Sequence, residues 1–315
     1  MTGEPRLTHS KPGGVKAECP RVIVLGGTGM LGHKLFQQLT LAWPETICTV
    51  QRKKSDLPFS RIPLFQSDAV IDEVDVSDFE RLSRLLIGIR PHVVINCVGV
   101  IKQRESASSP IPAITLNSLL PHFLADLSAG WGGRLIHFST DCVFSGSKGS
   151  YKETDSSDAR DLYGQTKYLG ETAETNALTL RTSIIGRELV NHRSLLDWFL
   201  SHRGGKVQGY RKSIYSGLTT NHLAKVVQDI ILNHPDLSGV YQIASTPISK
   251  YELLCLLKDA YGADIAIEAI DGECCDRSLD GTRFADITGY RCPSWTSLAN
   301  QLVEDPTPYG KWLHA

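Results

Sequence analysis

Short, almost wholly apolar runs recur along the first half of the chain, and between them apolar positions return at helical spacing. Arg21–Leu25, Ile47–Gln51, Val93–Cys97, Arg134–Ser139 and Leu178–Thr182 read as strands. Met30–Leu41, a segment capped by Ser77 and running to Ile89, Ile111–Ala129 with a break near Pro121, and Asp161–Asn176 read as helices. Ser55–Pro63 reads as a loop. Periodicity alone does not separate such runs from buried helix, but their flanking glycines and regular spacing favour strands. The rhythm predicts a parallel sheet covered on both faces.

Beyond residue 183 the alternation loosens. Leu195–Leu200, Asn221–Leu232 and Ser249–Ala260 are expected helices, Gly239–Ile243 a strand, and Gly262 to the end irregular. The division expected is a polar tail over 1–20, a nucleotide-binding domain over 21–185, and a smaller lobe over 186–315 with segments that return to the first sheet.

The turn after the first strand, Leu25–Gly32, reads LGGTGMLG. Gly26 permits a tight turn, Gly29 clears space for a pyrophosphate, and Gly32 lets helix and strand pack closely. The N–H groups opening the helix, around Thr28, Met30 and Leu31, then face the anion. The chain is expected to be α/β of Rossmann type, a doubly wound parallel sheet with a smaller C-terminal lobe. No Gly-Lys-Ser or Gly-Lys-Thr follows, which excludes a kinase-type phosphate loop.

An NAD site presents an acid after the second strand, whereas this chain continues Val50–Gln51–Arg52–Lys53–Lys54. Arg52 and Lys53 suit a 2′-phosphate, so NADP is expected, with NAD the alternative. Asp75 and Val76 are candidates for the adenine. Asn96, Cys97, Val98 and Gly99 end the next strand where a sheet-bound cofactor lies. Gly99 is either cleared for that cofactor or an ordinary loop glycine.

Two further segments carry chemistry. Residues 137–146, HFSTDCVFSG, set a hydroxyl, a carboxylate and a thiol, Thr140, Asp141 and Cys142, between apolar neighbours. Tyr163 and Lys167, four apart, share a helix face, where an ammonium lowers the phenol's pKa toward the range useful for proton transfer. Tyr-x-x-x-Lys is common by chance. It gains weight by following a dinucleotide turn and lying 23 residues after Thr140. Asp141 is either a substrate contact or a loop cap, and His137 a core histidine or a support beneath the site.

The charges balance, 33 basic against 34 acidic residues, which argues against nucleic acid or an anionic membrane as partner. No run approaches the length a membrane helix needs. The eight cysteines include no CxxC pair and suit free thiols in a reducing compartment, and the start lacks a signal peptide's apolar core, so cytoplasm is the expected location. The ten histidines form no metal-ligand pattern.

Together, GGTGMLG, INCVG, FSTDCVFSG, YKETD, YGQTKYLGE and LRTS resemble the extended short-chain dehydrogenase/reductases, and within them the dTDP-4-dehydrorhamnose reductase family. The resemblance is strong over about residues 21–185 and thinner beyond. It implies that Thr140, Tyr163 and Lys167 are the catalytic hydroxyl, tyrosine and lysine, with Tyr163 and Lys167 also touching the cofactor. It implies that Asn117 supports the lysine through water. The implied activity is NADPH-dependent reduction of the C4 ketone of a nucleotide-linked deoxysugar, in a chain that is often a homodimer. Asp141, Cys142, Asn191 and Arg277 are the candidates for the sugar-nucleotide pocket.

The chain also departs from that pattern. Ile184, Ile185 and Gly186 stand where an aromatic residue is usual, and Lys212–Thr220 keeps the glycine and threonine of a lobe motif without its Asp or Pro. Cys142 stands where a dehydratase has a glutamate, which disfavours loss of water. It matches the cysteine of epimerising reductases such as GDP-fucose synthase, or is a spectator thiol. The regulatory beta subunit of methionine adenosyltransferase also looks like this family, which leaves an NADP-binding interaction protein as a further alternative.

Overall fold

The computed structural model describes residues 19–100, 109–190 and 192–313. The first eighteen residues of the expected tail, and Asn191, lie outside this range. The chain begins β1 (Val22–Leu25), α1 (Met30–Ala42), β2 (Ile47–Thr49), β3 (Val70–Ile71), α2 (Phe79–Ile89) and β4 (Val93–Asn96). It continues α3 (Pro110–Ala113), α4 (Leu120–Ala129), β5 (Arg134–Thr140), α5 (Leu162–Leu169), β6 (Ala177–Thr182) and β7 (Ile184–Ile185). Next come α6 (Leu195–Leu200), β8 (Lys206–Tyr210), β9 (Ser213–Tyr215), β10 (Leu218–Thr219), α7 (Thr220–Asn233), β11 (Gly239–Gln242) and β12 (Ile248–Ser249). The last elements are α8 (Lys250–Tyr261), β13 (Ala266–Ile270), β14 (Cys275–Asp276), α9 (Thr282–Thr288), α10 (Trp295–Val303) and α11 (Tyr309–Leu313).

Seven strands form one sheet in the order β11-β6-β5-β4-β1-β2-β3, every neighbouring pair parallel. The order reverses between β1 and β4, so a crevice opens at their carboxyl ends, where doubly wound sheets take ligands. The wholly apolar strands are explained by burial on both faces. Val22, Val24, Ile95, Ile136 and Leu180 enter the core shared with α1 and α7, while Ile23, Leu25, Val94 and Leu135 face α2 and α4.

Several boundaries differ from the sequence reading. Asp78, not Ser77, caps α2 by accepting the Arg81 N–H at 3.0 Å, and Ser77 donates to Asp75 instead. The long helix expected over Ile111–Ala129 is interrupted by a π-turn at Ile114–Leu119, just before Pro121 opens α4. The helix expected to reach Asn176 stops at Leu169, and its C-cap Gly170 lies against the Asn117 backbone, where a Cβ would fall 1.8 Å from that carbonyl oxygen. The segment after Gly262 is not irregular: it holds two strands and three helices.

The last of these straps the cofactor-side helix. Lys34 on α1 forms a buried ion pair with Asp305 at 2.6 Å, and His33 Nε2 meets the Tyr309 hydroxyl at 2.9 Å. The other His33 nitrogen, Nδ1, donates to the Gly29 carbonyl at 2.9 Å, so the C-terminal strap reaches the glycine turn through one imidazole.

Candidate active site

The glycine turn leads straight from β1 into α1. Gly26 has φ +87°, and a Cβ on Gly32 would lie 2.2 Å from the Gly26 carbonyl oxygen, so turn and helix meet backbone to backbone. Gly29 is the N-cap of α1 and makes no side-chain cap bond, and a Cβ there would touch only the Gly26 carbonyl oxygen, at 3.4 Å. An uncapped helix start with open space above it fits a pyrophosphate. Thr28 and Met30 are partly exposed on this turn and Leu31 is buried beneath it.

The other cofactor candidates are placed unevenly. Arg52 and Lys53 are exposed just past β2, with Lys53 near Glu73 at 3.7 Å. Asp75 holds Ser77 at 2.7 Å, and Val76 is buried. Val98 packs on the turn, where a Cβ on Gly26 would come within 2.8 Å of it, and Cys97 is a partly buried thiol whose pKa burial drives well up. Asn96 is buried and braces its own loop: its Oδ1 accepts the Val98 N–H at 3.0 Å and its Nδ2 meets His137 Nδ1 at 3.2 Å. Gly99 makes room for a side chain, since a Cβ there would sit 3.0 Å from Asn117 Oδ1.

Thr140 closes β5, and the chain turns at once through a 3-10 turn at Asp141–Val143. Helix α5 is capped by Asp161, whose carboxylate accepts the Gly164 N–H at 2.9 Å, and lies across that turn. The two segments thus bring Thr140 to the Tyr163 phenol, close enough for its hydroxyl to act on the phenol's pKa.

Burial dominates the phenol. It raises the Tyr163 pKa, the Cys142 thiol adds to the rise, and the nearby Thr140 hydroxyl opposes it. The sequence reading had Lys167 lowering this pKa; in the structure the lysine turns elsewhere. Its Nζ donates to the Phe138 carbonyl at 2.6 Å and lies 3.4 Å from His137 Nε2. Burial brings the lysine's own pKa down to about 8, against the charge of Glu171.

Asn117 sits inside the π-turn, fully buried. Its amide clamps Val100, accepting that residue's N–H at 2.8 Å and donating to its carbonyl at 3.1 Å, and reaches Thr166 Oγ1 at 3.2 Å. Its direct contacts therefore hold α5 to the loop after β4.

Around Thr140 lie the substrate candidates. Thr140 donates to Asp141 Oδ1 at 3.1 Å, and burial raises the Asp141 carboxyl despite that bond. Burial and the neighbouring Asp141 push the Cys142 thiol up to about 12, so it stays protonated. Arg277 comes from the strand-end segment after β14. Its Nε donates to the Phe144 carbonyl at 2.8 Å, and its charge acts on Asp141 and Cys142. Val143 and Phe144 are core residues, and Phe144 stacks on Tyr151 with centroids 4.1 Å apart.

Two supports were not singled out in the sequence. Glu171 just after α5 makes a buried bidentate pair with Arg181 at 2.8 and 2.7 Å, and also accepts from Ser139 at 2.6 Å. That ties the end of α5 to β5 and β6. The signal was present in YGQTKYLGE, a glutamate on the helix turn after the lysine, but its partner lies on another strand.

Among the described residues there is no group of side chains that could hold a metal ion, and no helix is long and apolar enough to cross a membrane. All eight cysteines are free.

Comparison with known proteins gives four findings. The model of the RmlD substrate binding domain family matches residues 20–273. Among curated proteins, methionine adenosyltransferase 2 subunit beta of Xenopus laevis is 26% identical over 257 residues, covering 76% of this chain and 72% of that protein. The dTDP-4-dehydrorhamnose reductase of Aggregatibacter actinomycetemcomitans is 24% identical over 267 residues, covering 79% and 82%. Among solved structures, dTDP-4-dehydrorhamnose reductase from Bacillus anthracis, in complex with NADP, has the same fold. Its TM-score is 0.74 at 19% identity, covering 90% of this chain and 99% of that one.

Proposed function

This chain belongs to the RmlD substrate binding domain family, a Rossmann-type branch of the extended short-chain dehydrogenase/reductases, and on that premise we propose that it reduces the 4-keto group of a nucleotide-linked deoxysugar with NADPH. The observation that carries the reading is the meeting of Thr140 and Tyr163 at the carboxyl end of β5, beside the sheet's switch point.

The residues present fit a dinucleotide. Gly26, Thr28, Gly29, Met30, Leu31 and Gly32 would hold the pyrophosphate, Arg52 and Lys53 the 2′-phosphate, Asp75 and Val76 the adenine, and Cys97 and Val98 the nicotinamide side. When bound, the reduced nicotinamide supplies a hydride.

The chain's own residues supply the rest. Burial keeps Tyr163 protonated at neutral pH, the state a proton donor to a developing alkoxide requires. The Thr140 hydroxyl stands ready to turn from Asp141 to the ketone oxygen as charge grows there. Lys167, with its pKa about 8, is mainly cationic at neutral pH; it would reach the phenolate left after transfer by turning from the Phe138 carbonyl toward Tyr163. Arg277 and Asp141 lie beside Thr140, the guanidinium suited to a diphosphate and the carboxyl to sugar hydroxyls. A thiol held up at about 12 is a poor base, so Cys142 is a spectator in this reading and epimerisation is not part of it.

The exposed apolar side chains Ile111, Leu119, Tyr168 and Leu169 lie on α3, the π-turn segment and α5, which pack against one another, and we assign them to contact with a second copy of the chain. Light scattering that returns a monomer would remove this element.

One observation favours a second reading, an NADP-binding regulatory subunit: curated relatives of 26–29% identity are methionine adenosyltransferase 2 subunits beta. Oxidation of NADPH in the presence of nucleotide-linked 4-keto sugars tests the reductase directly. Stoichiometric binding to a methionine adenosyltransferase catalytic chain, without such oxidation, establishes the second reading.

A further inference from the structure

Beneath Lys167 lies a buried polar pair that the proposed reaction does not use. Asn96 ends β4 and His137 lies beside it on β5, at paired positions in the sheet, both fully enclosed. The Val98 backbone N–H can only donate, and it points at Asn96 Oδ1 at 3.0 Å. The amide orientation is thereby fixed, and Asn96 presents its NH2 to His137 Nδ1 at 3.2 Å. Nδ1 must therefore be the bare acceptor. A neutral imidazole then carries its one proton on Nε2, the nitrogen that faces Lys167 Nζ at 3.4 Å. Burial and the Lys167 charge hold His137 far below the usual imidazole range, so the neutral ring is the relevant species.

That proton separates the two states of the lysine. An uncharged Lys167 amine can donate to the Phe138 carbonyl and accept from Nε2–H through its lone pair, which satisfies every group. An ammonium has no lone pair and meets Nε2–H donor to donor, so it must turn away from the ring. The other groups facing the lysine are the Cys97 thiol from the end of β4, Glu171 from beyond α5 and, through His137, His122 on α4. We propose that Asn96 and His137 are a positioning pair: Asn96 selects the imidazole tautomer, and the Nε2 proton couples the charge of Lys167 to its position. The proposal rests on the reading of Lys167 as the partner of Tyr163 for its consequence, though not for its geometry.

The test is made on the full chain labelled with 15N-histidine, with no nucleotide or sugar added. Long-range 1H–15N correlation spectra report the tautomer, and His137→Gln identifies the resonance by its loss; should that variant fail to fold, the change in Asn96→Asp identifies it. The expected result is an Nε2–H ring that stays neutral across roughly pH 6 to 9. Its Nε2 signal should move in one step near pH 8 as Lys167 titrates, and the step should vanish in Lys167→Met. In Asn96→Asp the carboxylate accepts from Nδ1, so the tautomer should invert and the step rise by about one pH unit or more. A wild-type ring protonated on Nδ1, a signal insensitive to Lys167, or an unchanged tautomer in Asn96→Asp each overturns the proposal. Because no turnover is needed, failure here and failure of the reductase reading are read in separate experiments.

Discussion

Gly164 on α5 lies against the carbonyl of Cys142: a Cβ at that position would come within 2.3 Å of the Cys142 oxygen and 2.5 Å of the Ala159 side chain. The helix that carries Tyr163 can cross the turn that carries Thr140 only because residue 164 has no side chain.

Two effects compete in Gly164→Ala. Helix propensity favours alanine by about 1 kcal/mol, while overpacking against backbone costs about 1–3 kcal/mol. The obstruction is a carbonyl that cannot rotate away, so overpacking should win. The variant should show a lower urea midpoint, and turnover should fall by much more than cofactor affinity as Tyr163 moves off Thr140. A midpoint above wild type would show that the approach is looser than described.

Glu171 and Arg181 are buried together, with side chains only 5% exposed each. Glu171→Gln keeps the shape and removes the charge, which leaves a guanidinium uncompensated in the core. A loss of about 3–5 kcal/mol in chemical denaturation is expected. The effect should be larger than for Glu80→Gln, whose ion pair with Arg84 is exposed on α2.

His33 gives the fold an acid-sensitive element. Burial holds its pKa down to about 4 against an ordinary 6.5, so the folded state prefers the neutral ring. For a base whose pKa is depressed by folding, the unfolded chain binds more protons, and stability falls as the pH drops. Its contribution is whole above pH 6.5 and is lost toward about 4, on the order of 3 kcal/mol. Denaturation midpoints measured across that window should fall for wild type and fall less for His33→Gln.

Cys142→Ser should leave turnover within about threefold, because a thiol held near 12 contributes no base at neutral pH. Product formed in deuterated solvent should carry no deuterium on the carbon beside the ketone. Incorporation that disappears in the serine variant would establish epimerisation instead.

What the sequence disclosed was local. The β1 run and its glycines announced the turn and helix they form, and STD followed by YGQTK placed three candidate side chains on a strand end and a helix face. What it concealed depends on register between distant segments. Lys34 and Asp305 pair across 271 residues, and the glycine that caps α5 is packed against the backbone of Asn117. The pKa of Tyr163 was misread for the same reason: spacing puts an ammonium on its helix face, whereas burial and a strand carbonyl decide where that ammonium goes. His137 looked like a core residue in a strand, and only the pairing of β4 with β5 puts Asn96 beside it.

The central claim is that Tyr163 protonates a ketone reduced at the expense of NADPH. The most direct measurement follows NADPH absorbance with purified protein and a panel of nucleotide-linked 4-keto sugars, for wild type and Tyr163→Phe in parallel. The account predicts oxidation of NADPH with at least one sugar, and a fall of about a hundredfold or more in the variant with NADPH affinity retained. Tight NADPH binding without oxidation across the panel, or turnover undiminished in Tyr163→Phe, would contradict it.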